Sequence, residues 1–224
     1  MEILTIQFQN QLSFGEIPFF RGALLHSLPE ENNLLLHNHI HSGFRYSYPL
    51  VQYKSIAGKA AVVCLNEGID SIMQLTEKKN LLVKIGKREE QPLLIDKILP
   101  KRIEIDVNPR FYYYRIKKWI ALNSDNYVRY TGLQRLADRI SFLENILTAN
   151  ILSFLKGVNV YIDNDLECHL LDVSDKYSIK TNKGVKMIAF DASFQINIEL
   201  PDYIGLGKHS SLGYGLITKE KHNN

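Results

Sequence analysis

Cysteine is scarce in this chain. Cys64 and Cys168 are the two it has in 224 residues, each inside an apolar, strand-like stretch and with no paired spacing. That excludes a disulfide framework and suits reduced core residues of an intracellular protein. No apolar run approaches the ~18 residues of a membrane-spanning helix. The start, Met1-Glu2-Ile3, shows no basic leader followed by an apolar segment. The expectation is therefore a cytoplasmic protein with no membrane partner. Charge of one sign is also in short supply, the net value being only +3. The basic residues are spread evenly, 13 Lys and Arg in residues 1–112 and 14 in the remainder. A nucleic-acid surface would have to be made by local clustering rather than by bulk charge. There is no internal repeat and no linker rich in Pro, Gly or Ser. What the chain has in ordinary measure is hydrophobic residues, 45%, enough for one large or two small cores.

Periodicity orders the elements. Residues 2–8 alternate as a strand, and Pro18 stands in the first turn of a helix running to about Ser27, with Ile17, Phe20 and Leu24 inward. Residues 29–45 form a long connection. Leu50–Ile56 and Lys59–Leu65 are strands joined at Ala57-Gly58. Asn66 is placed to cap a second helix with Ile69, Ile72 and Met73 inward. Leu81–Ile85 and Leu93–Val107 supply further strand. This order is the split βαβ, or ferredoxin-like, arrangement. A second pass starts near Phe111, where Phe111-Tyr112-Tyr113-Tyr114-Arg115-Ile116-Lys117-Lys118-Trp119-Ile120 reads as a strand with basic residues interleaved among aromatics. Thr131 and Gln134 have the spacing of a capping box that starts a helix carrying Leu133, Leu136, Ala137, Ile140, Leu143, Leu147, Ile151 and Phe154 and stopping at Gly157. Val158–Ile162, Leu166–Val173 and the hairpin Tyr177–Ile179/Lys186–Ile198 complete a β-rich end. The expected fold is α+β: two tandem ferredoxin-like (RRM-like) domains, residues 1–109 and 110–224, with antiparallel sheets and helices on one face.

Two stretches carry chemistry. The run from Gly205 to Ile217 holds Gly205-Leu206-Gly207, five residues, then Gly213-Tyr214-Gly215. Four glycines in so short a span describe a tightly folded loop. Lys208, His209, Ser210 and Ser211 lie between the pairs, and a cation, an imidazole, two hydroxyls and successive N–H groups suit phosphate oxygens. The spacing is not that of a phosphate-binding loop, and Leu216–Thr218 reads as strand, so it is not a dinucleotide fingerprint. A structural β-turn is the alternative reading. The other stretch is His37-Asn38-His39-Ile40-His41, whose spacing of two puts three imidazoles on one face of an extended chain. Surface histidines in a polar loop would look the same. A metal site is disfavoured, because Asn32–Lys59 contains no Asp, Glu or Cys to complete a ligand set. Two imidazoles suffice for RNA cleavage without metal. One accepts the 2′-OH proton, another donates to the departing 5′-oxygen, and a cation stabilises the phosphorane. Lys54 and Arg45 are the nearest cations; Tyr46, Tyr48 and Tyr53 could orient the phosphate or stack a base.

The glycine loop resembles the motif that closes CRISPR-associated endoribonucleases of the RAMP superfamily, which process repeat RNA. Phe20-Arg21-Gly22-Ala23, the His37–His41 cluster, Tyr48-Pro49-Leu50-Val51-Gln52-Tyr53-Lys54, Asn66-Glu67-Gly68 and Trp119-Ile120-Ala121-Leu122-Asn123 are similar to the branch found in Bacteroidetes-type and some archaeal systems. The resemblance implies metal-independent cleavage of precursor CRISPR RNA within the repeat, leaving a 2′,3′-cyclic phosphate and a 5′-OH, with no cofactor. It places catalysis on His37 and His39 with Tyr46 and a basic residue, Lys54 being one. His41 exceeds the pattern, so the pair could instead be His39 and His41, and His26 at the end of the first helix is a reserve. RNA binding falls to Gly205, Gly207, Lys208, His209, Ser210, Ser211, Gly213 and Arg45. The implied partner is CRISPR repeat RNA, with effector-complex subunits and a second copy of the chain (a homodimer) as further candidates. A non-catalytic repeat-RNA-binding subunit of a CRISPR ribonucleoprotein complex is the alternative.

Overall fold

The computed structural model describes residues 1–27, 39–40, 43–44, 48–77, 81–162, 166–174, 177–180 and 186–220. It divides into two units, Met1–Glu104 with Ser211–Gly213, and Ile105–Ser210 with Tyr214–Asn224.

In the first unit the chain runs β1 (Glu2–Gln11), α1 (Ile17–His26), a small hairpin of β2 (His39–Ile40) and β3 (Gly43–Phe44), β4 (Val51–Ile56), β5 (Lys59–Leu65), α2 (Gly68–Glu77), the short pair β6 (Leu82–Val83) and β7 (Gln91–Pro92), and β8 (Ile95–Arg102). The main sheet is ordered β4-β5-β1-β8 and every neighbouring pair is antiparallel. Setting the two short hairpins aside, this is the ferredoxin-like order, each helix crossing over one intervening strand. Leu4, Ile6 and Phe8 alternate onto the face that packs with Phe20 and Leu24 of α1 and with Val51, Tyr53, Val62 and Cys64. Phe20 meets Phe8 and Tyr53 edge-on, with ring centroids 5.8 and 6.2 Å away. Two expectations fail at α2. Asn66 has φ +44° and its side chain accepts a hydrogen bond from the Glu2 N–H at 3.0 Å, so it closes the turn onto β1 and does not cap the helix. Met73, expected inward, is 43% exposed, while Ile72 is buried.

The second unit repeats the plan with β9 (Val107–Trp119), α3 (Ser124–Gly132), α4 (Leu136–Gly157), β10 (Cys168–Val173), β11 (Tyr177–Lys180), β12 (Lys186–Ile198) and β13 (Leu216–Lys219). The order β10-β12-β9-β13, again antiparallel throughout, matches the first sheet strand for strand, with β11 extending the β12 hairpin. Tyr114, Ile116, Phe194 and Ile196 share one face and are fully buried, as are Leu147, Ile151 and Phe154 of α4. The Tyr114 hydroxyl donates to the Leu200 carbonyl at 2.9 Å and accepts from the Leu200 N–H at 2.8 Å.

The sequence reading misses one helix here and starts the next too early. Asn123 caps α3, its side chain accepting from the Asn126 N–H at 2.7 Å. Thr131 belongs to the last turn of α3, where its hydroxyl donates to the Tyr127 and Val128 carbonyls, so no capping box with Gln134 forms. Helix α4 begins at Leu136 with Arg135 as its cap residue. Val158–Ile162 is not a strand: Val158 closes α4 through hydrogen bonds back to its last turn, and Asn159 turns the chain at φ +58°. Among the described residues, no helix is long and apolar enough to cross a membrane.

Candidate functional site

Of the histidine cluster, His39 lies on β2, paired with Phe44 across the hairpin, with Ile40 opposite Gly43. The backbone at His39 is therefore extended, as the spacing of two requires if neighbouring imidazoles are to share a face. His37, His41, Arg45 and Tyr46 lie outside the described residues. His26 is exposed in the last turn of α1, where a helix favours positive charge.

Lys54 sits on β4 opposite Ala61 and is fully buried. Four successive residues, Val51 to Lys54, are buried, so this edge strand is covered on both faces. Val51 and Tyr53 face the helical core, and Gln52 and Lys54 alternate to the other side. Removal from water disfavours the ammonium and pulls the Lys54 pKa down from 10.5 to about 7. Gln52 was not anticipated as part of this polar set. Its amide donates to the Tyr48 hydroxyl at 2.8 Å and to the Pro49 carbonyl at 3.1 Å. A glutamine in a β-branched and aromatic run carries no sequence signal for such a role. On the core side, the Tyr53 hydroxyl is buried with no hydrogen-bond partner among the described residues, and burial pushes its pKa up, opposed by the positive charge of Arg21.

The glycine loop is built by close backbone contact. The Leu206 N–H donates to the Gly215 carbonyl at 2.9 Å, and Gly205 bridges to Leu216. A Cβ on Gly215 would stand 1.8 Å from the Leu206 carbonyl oxygen, and its φ of +61° is left-handed. The two Gly-x-Gly pairs are thus pressed against each other, and the five residues between them form the loop they close. Gly207, at φ +82°, rests on the Ile120 carbonyl, Trp119 and Asn150, each 3.0 Å from where its Cβ would be. Trp119 donates its indole N–H to the Asn150 side chain at 3.0 Å, which fixes that floor. The Lys208 and Gly215 N–H groups donate to the carbonyls of Ile120 and Lys118. Of the N–H groups expected to face phosphate, those of Leu206, Lys208 and Gly215 are therefore engaged within the fold. This part of the loop follows the structural-turn reading.

Its tip keeps the other character. Lys208 and His209 are exposed, Ser211 is half-buried and Ser210 is buried at the start of a short 3₁₀ turn, Ser210–Leu212. The His209 ring lies 5.9 Å from that of Tyr214. Ser211–Gly213 belongs to the first unit, where Leu212 packs against the core and Gly213, at φ +83°, lies where a Cβ would be 2.6 Å from Ile17.

Comparison with known proteins accounts for nearly the whole chain. Residues 1–102 match the family model of the Cas6b N-terminal domain, and residues 106–220 match that of the Cas6b C-terminal domain. An uncharacterized protein of Methanocaldococcus jannaschii is 36% identical over 107 residues, which is 48% of this chain and 71% of that protein. Among solved structures, one described as a crystal structure of Cas6b superposes with a TM-score of 0.85 at 23% identity, over 98% of this chain and all of that one. A second, a CRISPR RNA processing endoribonuclease Cas6b, gives 0.71 at 20% identity over 98% of this chain and 100% of the other. At these identities the structural likeness establishes the tandem ferredoxin-like fold.

Proposed function

The chain belongs to the Cas6b family, and on that premise we propose that it is a metal-independent endoribonuclease that cuts precursor CRISPR RNA within the repeat. The observation that carries the reading is the match of both halves to that family, in a chain whose N-terminal unit holds His39 on an extended strand within His37-Asn38-His39-Ile40-His41. His39 and one histidine two residues away, His37 or His41, divide the proton transfers. One imidazole takes the proton of the 2′-OH as its oxygen bonds to phosphorus; the other gives a proton to the 5′-oxygen as the P–O5′ bond breaks. The products are a 2′,3′-cyclic phosphate and a 5′-OH, and atoms balance without water or metal. Acid–base assistance of this kind contributes on the order of 10²–10⁴-fold.

Tyr46 and Arg45 are proposed to contact the phosphate, and His26 is held in reserve as an alternative imidazole. Full burial makes Lys54 the cation of this set least suited to direct phosphate contact; its chemical asset is a pKa near neutrality. Lys208 and His209, at the exposed tip of the glycine loop, are proposed to bind the RNA backbone, with Ser211 beside them. Gly205, Gly207 and Gly213 serve by shaping that tip, and Ser210, being buried, by anchoring it. The test is cleavage of the repeat RNA in EDTA, with a 2′-deoxy nucleotide immediately upstream of the cut as control. The reading expects cleavage in EDTA and none of the deoxy substrate. Dependence on added metal would overturn the mechanism, and a retarded RNA band with no shortened product would make the chain a binding subunit only.

A further inference from the structure

The aromatic and basic run on β9 has no part in the chemistry above, yet the fold puts it in an informative place. Alternation sends Tyr114 and Ile116 into the core and leaves Phe111, Tyr113, Arg115 and Lys117 on the opposite face of the sheet. Arg115, Lys117 and His169 are exposed, and Phe111 and Tyr113 are half-buried; the Glu144 carboxylate of α4 comes within 3.8 Å of His169 at the edge of the sheet. Register lines up its side chains. Tyr113 pairs with Gln195 of β12, and Gln195 with His169 of β10. Arg115 lies between Ser193 and Thr218. The Phe111 and His169 rings approach to 5.9 Å. Three rings, from Phe111, Tyr113 and His169, therefore share this face, with Gln195 in register between Tyr113 and His169.

From this geometry we propose that the open face of the second sheet is a stacking platform for single-stranded RNA, separate from the histidine cluster. Successive residues on one face of a strand are about 6.8 Å apart and neighbouring strands about 4.8 Å, so adjacent bases of a splayed strand can each reach a ring. RNA-recognition modules of this sheet architecture stack two or three bases on aromatics of the sheet face. Gln195 and Ser193 supply amide and hydroxyl groups for base edges, and Arg115 and Lys117 continue the row as cations for phosphates. Arg115 faces Glu220 at 3.9 Å, but both side chains are about half exposed, and such a pair holds its partner weakly enough for a phosphate to compete. A protein-docking face would carry an apolar centre; here Gln195 stands between Tyr113 and His169, and Ser193 and Thr218 flank Arg115.

The proposal rests on RNA being the substrate and extends that reading to a second surface. Its test is photo-cross-linking of wild-type protein to a 4-thiouridine-containing oligouridine of about eight nucleotides, a length within the usual single-strand site sizes, with the adducts mapped by mass spectrometry. Adducts are expected at Phe111, Tyr113 or His169, and should persist in His39→Ala protein. Phe111→Ala/Tyr113→Ala should bind the same oligonucleotide at least ~10-fold more weakly, since each lost stack is worth several-fold or more. Tyr113→Leu, which keeps the bulk, should show part of that loss without a change in melting temperature. Adducts confined to other surfaces, or unchanged affinity in both variants, would overturn the platform. So would loss of a protein partner, with RNA affinity intact, in the same variants. Cleavage of repeat RNA by wild-type protein without these adducts removes the platform alone; adducts without any cleavage remove the ribonuclease reading and leave the platform.

Discussion

Replacing Lys54 with methionine should stabilise the protein most at low pH and progressively less as pH rises. The ammonium is removed from water by full burial, and the lysine pKa falls from 10.5 to about 7. Above pH 10.5 neither the folded nor the unfolded chain holds this proton, and below about 7 both do. Between those limits the unfolded chain is charged here and the folded chain is neutral, so the unfolded state binds more protons and stability rises with pH. At 1.36 kcal/mol per unit the whole window is worth about 3–5 kcal/mol of destabilisation, fully present below pH 7 and relieved towards pH 10.5. Methionine matches the length of the aliphatic stem and has no proton to bind. Packing changes and hydrogen bonds lost in the substitution add a term that does not depend on pH, and titrations elsewhere cancel between the two proteins. The difference Lys54→Met minus wild type should therefore shrink by several kcal/mol between pH 6 and pH 10. In urea denaturation followed by circular dichroism, that corresponds to roughly 1–2 M in the difference of midpoints for m near 2–3 kcal/mol/M. An equal difference of midpoints at the two pH values would refute the burial argument, because it would mean that the ammonium is as well solvated in the folded chain as outside it.

The remaining predictions follow from the cluster and the loop. His39→Ala should lower the single-turnover cleavage rate on repeat RNA by about two orders of magnitude, with little change in RNA affinity; a near wild-type rate alongside inactive His26→Ala would move the centre to the end of α1. Lys208→Ala should weaken RNA binding and reduce the slope of log K against log salt by about 0.7–0.9, read from affinities at several salt concentrations. Gly215→Ala meets the Leu206 carbonyl at 1.8 Å and a φ of +61°. It should lower the melting temperature by roughly 5–15 °C, from about 2–4 kcal/mol of strain and lost hydrogen bonding. Gly22→Ala in α1, where no atom of the described residues beyond its chain neighbours and the helix's own backbone lies within 4 Å of the new methyl, should instead raise stability by about 0.5–1 kcal/mol.

The first unit was legible because its local signals and its tertiary needs agree. Pro18 opens α1, and Ile17, Phe20 and Leu24 all reach the core, as their spacing demands. The errors fall where one residue type serves two purposes. Asn66 is as good a helix cap as a left-handed turn residue, and only the reach of its side chain to the Glu2 N–H decides for the turn. Thr131 and Gln134 carry the capping-box spacing, but Asn123 already starts a helix upstream, and the threonine hydroxyl is taken by that helix's own carbonyls. The burial of Lys54 was not legible at all. Strand alternation assigns it the face opposite the helices, but nothing in the neighbouring residues says that this face of an edge strand is closed to water.

The glycine loop was legible as a motif and only half legible as chemistry, and the fold supplies the reason. In the first unit the crossover from the third to the fourth strand of the ferredoxin-like sheet is helix α2; in the second unit the same crossover, from β12 to β13, contains no α-helix. A helix satisfies its own N–H groups and carbonyls, whereas an irregular crossover must find partners for them elsewhere. Tyr203 and Ile217, Leu206 and Gly215, and Lys208 and Ile120 supply those partners, each through a hydrogen bond from one backbone to another. Such closeness admits no side chain at Gly215, and at Gly207, with φ +82°, even a Cβ would crowd the Ile120 carbonyl at 3.0 Å. The glycines are thus first a condition for replacing a helix with a loop. The stretch they leave projecting carries Lys208 and His209 as its exposed side chains. A glycine-to-alanine variant therefore tests the fold, and a lysine-to-alanine variant at the tip tests the binding, although both change the same motif.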